Sequence, residues 1–132
     1  MTEAALARAI EALPDLVNAD AALMRRGRLV SLELRVELGD TPYQLVIERG
    51  RIERVERGPF VLRSWRFAVR GGEAAWRQFW LPCPPPRYHD IFALTKSGAF
   101  TIEGDLHPLM ANLFYFKDVL AAPRRLAMVS AP

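Results

Sequence analysis

Few residues in the 132-residue chain are of the types that do covalent or metal chemistry. His89 and His107 are its two histidines and Cys83 its one cysteine. Neither histidine belongs to a His-x-x-x-His pair or a carboxylate cluster. His89 and Asp90 are chain neighbours beside Tyr88, but adjacent residues point in different directions on a strand or helix. His89 therefore reads as a loop histidine next to a helix cap, and His107 as a solvated residue at a helix start; neither is expected to be needed for function. Cys83 is followed by three prolines, with no neighbour that would lower its pKa. A single cysteine also excludes a disulfide within the chain and a cysteine-based zinc site. Ser31 and Ser64 fall in strand-like runs, and neither a G-x-S-x-G elbow nor a phosphate loop occurs. The expectation is a protein with no catalytic residues, no metal and no cofactor.

The cations offer another chemistry. The chain carries 18 Lys and Arg against 15 Asp and Glu, a net charge of +3, and only Lys96 and Lys117 are lysines. Arg49, Arg51, Arg54, Arg57, Arg63, Arg66 and Arg70 crowd a short stretch with aromatics nearby, which is what a nucleic-acid surface would use for phosphates and stacking. Glu48, Glu53 and Glu56 interleave with them, however, and mixed signs on strand faces give cross-strand pairing and solubility. No nucleic-acid partner is expected. An arginine still matches the geometry of an anionic head group.

The elements that position these residues follow from periodicity. Hydrophobic residues make up 51% of the chain and charged ones 25%, which excludes a disordered chain and suits one folded domain. No apolar run approaches the ~20 residues of a membrane span, and no leader of signal-peptide type is visible. A cytoplasmic, bacterial-type protein is expected. Leu6, Ile10 and Leu13 predict a helix over 3–13, and a second runs from Asp15 to about Arg26, ended by Gly27. The period then changes to two: Leu32, Leu34, Val36 and Leu38 alternate with Glu33, Arg35 and Glu37. Tyr43, Leu45 and Ile47 begin a second strand, 52–57 forms a third, and 60–69 a fourth with Val61, Trp65, Phe67 and Val69 on one side. Short turns between them predict a four-strand antiparallel meander. Helices are expected at 73–80 and from a cap at Asp90, a fifth strand at 99–103, and a last helix capped by Asp105 and stopped by Pro123. Strands and helices are segregated, so the class is α+β.

Twelve of the 13 aromatics fall between Phe60 and Phe116. The last helix is apolar around more than one stripe, since Phe116 and Val119 lie off the Leu109–Leu113 line. A helix apolar on two sides needs two partners, which points to an apolar cavity, another helix or a subunit.

Several stretches resemble the sterol carrier protein 2 family of lipid-binding domains. Lys96–Leu106 (KSGAFTIEGDL) with the following Pro108–Phe114 (PLMANLF) is similar to the family's small-Gly turn, amphipathic strand, Glu-Gly-Asp and lipid-facing C-terminal helix. Gly50–Gly58 (GRIERVERG) resembles its third strand with flanking turns, and Trp65–Trp76 (WRFAVRGGEAAW) its fourth strand leading into a helix. The resemblance spans roughly 25–120. The N-terminal helical segment and the Pro-Cys-Pro-Pro-Pro loop depart from the pattern, and the chain ends Ser-Ala-Pro rather than in the peroxisomal Ser-Lys-Leu address.

The resemblance implies a five-stranded, mostly antiparallel sheet covered by helices with an apolar tunnel. On this reading residues 1–26 are a helical segment packed on a lipid-binding domain at 27–122, with a tail at 123–132. It implies a non-catalytic carrier of an acyl chain, sterol-like or isoprenoid ligand, with an arginine at the mouth for an anionic head. The expected lining is Trp65, Phe67, Trp76, Phe79, Trp80, Phe92, Phe100, Ile102, Leu106, Leu109, Met110, Leu113 and Phe114. The expected partners are a hydrophobic small molecule or lipid and, transiently, a membrane. The alternative is an accessory subunit with a filled tunnel that docks on a partner enzyme, as some bacterial members do in isoprenoid quinone synthesis.

Overall fold

A computed structural model describes residues 3–126. Three helices open the chain: α1 (Glu3–Glu11), α2 (Leu13–Asn18) and α3 (Ala21–Arg26). Pro14 sits in the first turn of α2, where its missing N–H costs nothing, while the second predicted helix, from Asp15 to about Arg26, is divided in two at Asp20. The Asp20 side chain caps α3 by accepting from the Ala22 and Leu23 amides. Leu6, Ile10, Leu13, Val17 and Leu23 all enter the same core as the sheet.

The sheet contains β1 (Leu32–Leu38), β2 (Thr41–Glu48), β3 (Arg51–Arg57), β4 (Phe67–Gly71) and β5 (Phe100–Gly104), in the order β3-β2-β1-β4-β5. The period-two reading of β1 and β2 holds: Leu34, Val36 and Leu38 are buried toward the helices, with Tyr43, Leu45 and Ile47 beside them. The α+β class and the five-stranded, mostly antiparallel sheet are as expected, but the meander stops after three strands. β4 pairs parallel to β1, Leu34 opposite Phe67 and Val36 opposite Val69, and antiparallel to β5.

The reason lies in residues 58–66, of which 60–66 were expected to be strand. They form a loop that carries the chain from β3 across the solvent side of the sheet to the far edge of β1, as parallel pairing requires. Arg63 bridges Glu33 on β1 and Glu56 on β3. The Gln44 amide donates to the Ser64 carbonyl, and the Arg66 amide to Glu33. Arg35 lies 4.4 Å over the Phe60 ring. The loop turns Gln44 into a fully buried polar residue and leaves Val61 and Leu62 exposed, contrary to the expected inward face of Val61.

Helices α4 (Glu73–Phe79) and α5 (Ile91–Ser97) appear where predicted, α5 capped by Asp90. The last predicted helix is two, α6 (His107–Ala111) and α7 (Leu113–Ala121), separated at Asn112, whose φ/ψ of −126°/41° is not helical. Asp105 bonds the His107 amide, while the cap position itself falls on Leu106. Beyond α7, Pro123 is buried, and Arg124 donates to the Phe79 and His89 carbonyls. The rest of the expected tail, 127–132, lies outside the described residues.

Candidate functional site

The thirteen expected lining residues divide by position. Phe67, Trp76, Phe79, Trp80, Phe100 and Leu109 are buried, while Phe92, Ile102 and Leu113 are half-buried. Trp65 instead lies on the solvent side of the sheet, where Arg70 stands 5.5 Å over its ring; Arg70 itself pairs outward with Glu37 and Glu103. Leu106, Met110 and Phe114 face out, 41%, 56% and 72% exposed. The i, i+4, i+7 spacing predicts one inward face for Leu106, Met110 and Leu113, but Leu106 and Met110 are exposed and only Leu113 is half-buried. The inner face of the last two helices is made by Leu109, Tyr115, Phe116, Val119 and Leu120.

The inner aromatic cluster is tightly packed. Trp76 lies 4.3 Å from Phe100, 4.9 Å from Trp80 and 5.8 Å from Phe79, and Phe67 meets Phe116 edge-on at 5.1 Å. A chain threaded between two rings would need them about 8 Å apart, twice a contact distance of roughly 4 Å. Both indole donors are satisfied, Trp76 by the Glu37 carbonyl at 2.9 Å and Trp80 by Leu120 at 2.7 Å.

An open groove of about 510 Å3 lies at the α6–α7 joint, lined by Arg26, Ala111, Asn112, Leu113, Phe114 and Tyr115. That size suits a small-molecule site, roughly 300–1,000 Å3. Asn112 shapes it: its side chain and backbone N–H both donate to the Pro108 carbonyl, closing α6, while its own carbonyl accepts from Phe116 in α7. Arg26, at the C-terminal end of α3, pairs with Asp118 at 2.5 Å, and both groups are about half-exposed. Tyr115 locks the floor. Its buried hydroxyl donates to the Gly50 carbonyl at 2.5 Å, and burial pushes its pKa well above the usual tyrosine value.

Cys83 and both histidines are exposed, and among the described residues no group of three or more His, Cys, Asp and Glu side chains could hold a metal ion. Sequence reasoning missed Tyr115, Asn112 and Arg26. The pair Gly27 and Gly50 was a usable signal, since each glycine admits a close neighbour, but nothing in the sequence shows that the neighbour is Tyr115.

This arrangement, an open mixed sheet with one face under helices that end in an apolar C-terminal pair, has clear structural relatives. A crystal structure of sterol carrier protein 2 superposes with a TM-score of 0.71, covering 89% of this chain and 94% of that one at 11% identity. The chain has the sterol carrier protein 2-like fold. The sterol carrier protein domain 2 of Helicoverpa armigera matches with a TM-score of 0.59 at 10% identity, over 85% of this chain and 84% of that one. The ubiquinone synthesis protein UbiJ-SCP2 matches at 0.57 with 22% identity, over 84% of this chain and 91% of that one. No protein-family model and no curated protein matches the sequence. No helix among the described residues is long and apolar enough to cross a membrane.

Proposed function

We propose that this protein is a non-catalytic carrier of a long-chain hydrophobic ligand, taken up at the α6–α7 joint. Exposed Phe114, which lines the groove, with exposed Leu106 and Met110 at the preceding helix, carries this reading. An apolar face that the core does not use, next to a cavity of ligand size on a sterol carrier fold, calls for an apolar occupant. Leu113 and Phe114 would grip the chain, and Arg26, shared with Asp118, would meet an anionic head. The inner rings are packed too closely to admit a chain, so on this reading entry beyond the groove requires α6 to lift about Asn112.

The test is titration with a naturally fluorescent fatty acid, comparing the wild type with Met110→Asp and Phe114→Asp. Both side chains are exposed, so the melting temperature should hold within about 2 °C for changes of this kind. Burying half of the ~200 Å2 of a phenylalanine contributes about 2.5 kcal/mol at about 25 cal/mol per Å2. Affinity should therefore fall well over tenfold in Phe114→Asp. Absence of saturable binding in the wild type, or equal affinity in the variants, refutes the reading.

The closed aromatic cluster favours a second reading, an accessory subunit that docks these same exposed side chains on a protein partner. It is consistent with the likeness to a ubiquinone synthesis protein. Native mass spectrometry of the freshly purified protein separates the two: co-purifying lipid on a monomer supports the carrier, and a bare oligomer or complex supports the subunit.

A further inference from the structure

At the end of the molecule away from the α6–α7 groove, another cavity, of about 240 Å3, opens beside the first turn of α1. Its walls come from Glu3 and Leu6 on α1, Leu38 and Thr41 where β1 turns into β2, Arg57 at the end of β3 and Glu73 at the start of α4. Tyr43 completes it, set by the strand register opposite both Val36 and Arg57. The groove is anchored at the other end of β2, where Tyr115 bonds Gly50. At about 3.3 Å per strand residue, the path from Tyr43 to Gly50 sets the two sites roughly 20 Å apart.

Tyr43 is the group that the fold leaves unexplained. It is 2% exposed, yet its hydroxyl has no hydrogen-bond partner among the described residues. A buried phenol ordinarily finds one, as Tyr115 does in the Gly50 carbonyl. Burial raises the Tyr43 pKa above the usual tyrosine value, so the hydroxyl keeps its proton at neutral pH and can both donate and accept.

The surroundings state what would satisfy it. Buried Leu6 and Leu38 give the cavity an apolar floor. Glu3 and Glu11 act on Tyr43 with negative charge and Arg57 with positive charge. Glu3 and Arg57 are exposed, and neither has an ion-pair partner among the described residues. Glu73 has only Arg77, at 3.6 Å, one turn along α4. Carboxylates therefore outnumber the free cation at this rim, in a chain whose net charge is +3.

We infer that this cavity is a second binding site, for a small amphipathic primary amine: its ammonium group donates to the Tyr43 hydroxyl, Glu3 and Glu73, and its apolar body lies on Leu6 and Leu38. An ammonium offers three donors and no acceptor, which matches two carboxylates and a phenol oxygen. A volume below the roughly 300–1,000 Å3 of larger ligand sites limits the body to one ring or a short chain. The inference goes beyond the carrier reading and does not rest on it, because the two sites are far apart and take different probes.

The experiment is an NMR titration of the isotope-labelled full chain with phenethylammonium and with hydrocinnamate, a probe of similar shape and opposite charge. A probe of about ten heavy atoms should bind in the millimolar range. Amide shifts should centre on Leu6, Thr41 and Tyr43 and leave Leu113 and Phe114 unmoved. The ammonium should bind about tenfold more tightly than the carboxylate, because only the ammonium forms charge-assisted bonds with the excess acids. Tyr43→Phe should weaken ammonium binding about tenfold, as loss of a hydrogen bond to a charged group does. Its melting temperature should hold within about 2 °C, since the hydroxyl bonds nothing in the fold. Glu3→Gln/Glu73→Gln should remove most of the preference for the ammonium, and Arg26→Gln at the groove should change nothing here. Absence of a saturable shift with phenethylammonium overturns the inference. So does equal or tighter binding of hydrocinnamate to the wild type, shifts centred on Leu113 and Phe114, unchanged affinity in Tyr43→Phe, or a larger fall in its melting temperature.

Discussion

Tyr115→Phe tests the bond that fixes the floor of the groove. The substitution keeps the ring against Gly27 and Phe116 and removes one hydroxyl, which donates to the Gly50 carbonyl across 65 residues of chain. The carbonyl is then left buried without this donor, at a cost of about 1–3 kcal/mol. With almost no volume change to add a cavity penalty, about 1.5–2 kcal/mol is expected. Unfolding entropy of about 2.1 cal/mol/K per residue, over a chain of this length, converts that to a melting temperature lower by roughly 5–7 °C.

The pH dependence gives a second check with a definite sign. Burial raises the folded-state pKa of Tyr115 above its ordinary 10.0. The wild type therefore holds its full advantage below pH 10 and loses it as the pH climbs toward the raised value, because only the unfolded tyrosine ionises there. Phenylalanine has nothing to ionise, so the gap between the proteins should be flat from pH 6 to 9 and narrow above 10. Thermal melts by circular dichroism across that range provide the assay. A gap below 1 °C at neutral pH, or one that widens above pH 10, refutes the reasoning.

Two further outcomes are expected. Gly50→Ala puts a Cβ 2.7 Å from the Gly27 carbonyl at φ +83°, whereas Gly98→Ala meets open space at a similar φ of +87°; the first should destabilise by well over 2 kcal/mol and the second by about 1–2 kcal/mol, the backbone cost alone, and equal melts would deny the close contact. The Arg63 hydrogen bond holds the Glu33 carboxyl below its ordinary 4.5, so its contribution is present above that pH and lost as the pH falls through the depressed value; the gap in denaturant midpoint between wild type and Glu33→Gln should be full at pH 6–8 and close below 4, and a pH-independent gap would contradict it.

What could be read from the sequence was orientation within an element; what could not was its neighbour. Leu34, Val36 and Leu38 state that one face of β1 is buried, because a period of two leaves no other arrangement. Nothing in that pattern says that β4 lies beside β1 rather than β3, since pairing is decided by the path of residues 58–66. There the apolar residues Phe60, Val61 and Trp65 imitate a strand, and Phe60 and Trp65 are instead covered by Arg35 and Arg70. The same limit applies at the site. Leu106 and Met110 read from their spacing as one face with Leu113, but a helix apolar on two sides does not reveal which side turns inward. The inner side went to the residues whose rings interlock, Phe116 against Phe67 above all. Asn112 carried no warning, because a single asparagine costs a helix only a fraction of a kcal/mol and the break shows only in the fold.

That break decides which part of the cover can move on the carrier reading. Helix α7 is held by Tyr115, Phe116, Val119 and Leu120, all buried, and by the bonds from Tyr115 to Gly50 and from Trp80 to Leu120. Exposing four such side chains costs about 6–12 kcal/mol before the hydrogen bonds are counted, so an open α7 would be populated below one molecule in ten thousand. Helix α6 buries only Leu109. Lifting it costs about 1.5–3 kcal/mol, which leaves on the order of 1% of molecules open, within the range of minor states a ligand can select. Its pivots are in place, Asn112 at one end and Gly104, at φ +105°, near the other. Met110 and Leu106 travel with α6, whereas Phe114 stays on α7 beside Arg26. The moving part thus carries part of the exposed apolar surface and the fixed part carries the rest with the charge. A ligand bound between them by its chain and its head would favour the lifted position by the apolar area it newly covers on Leu109 and on the inner rings.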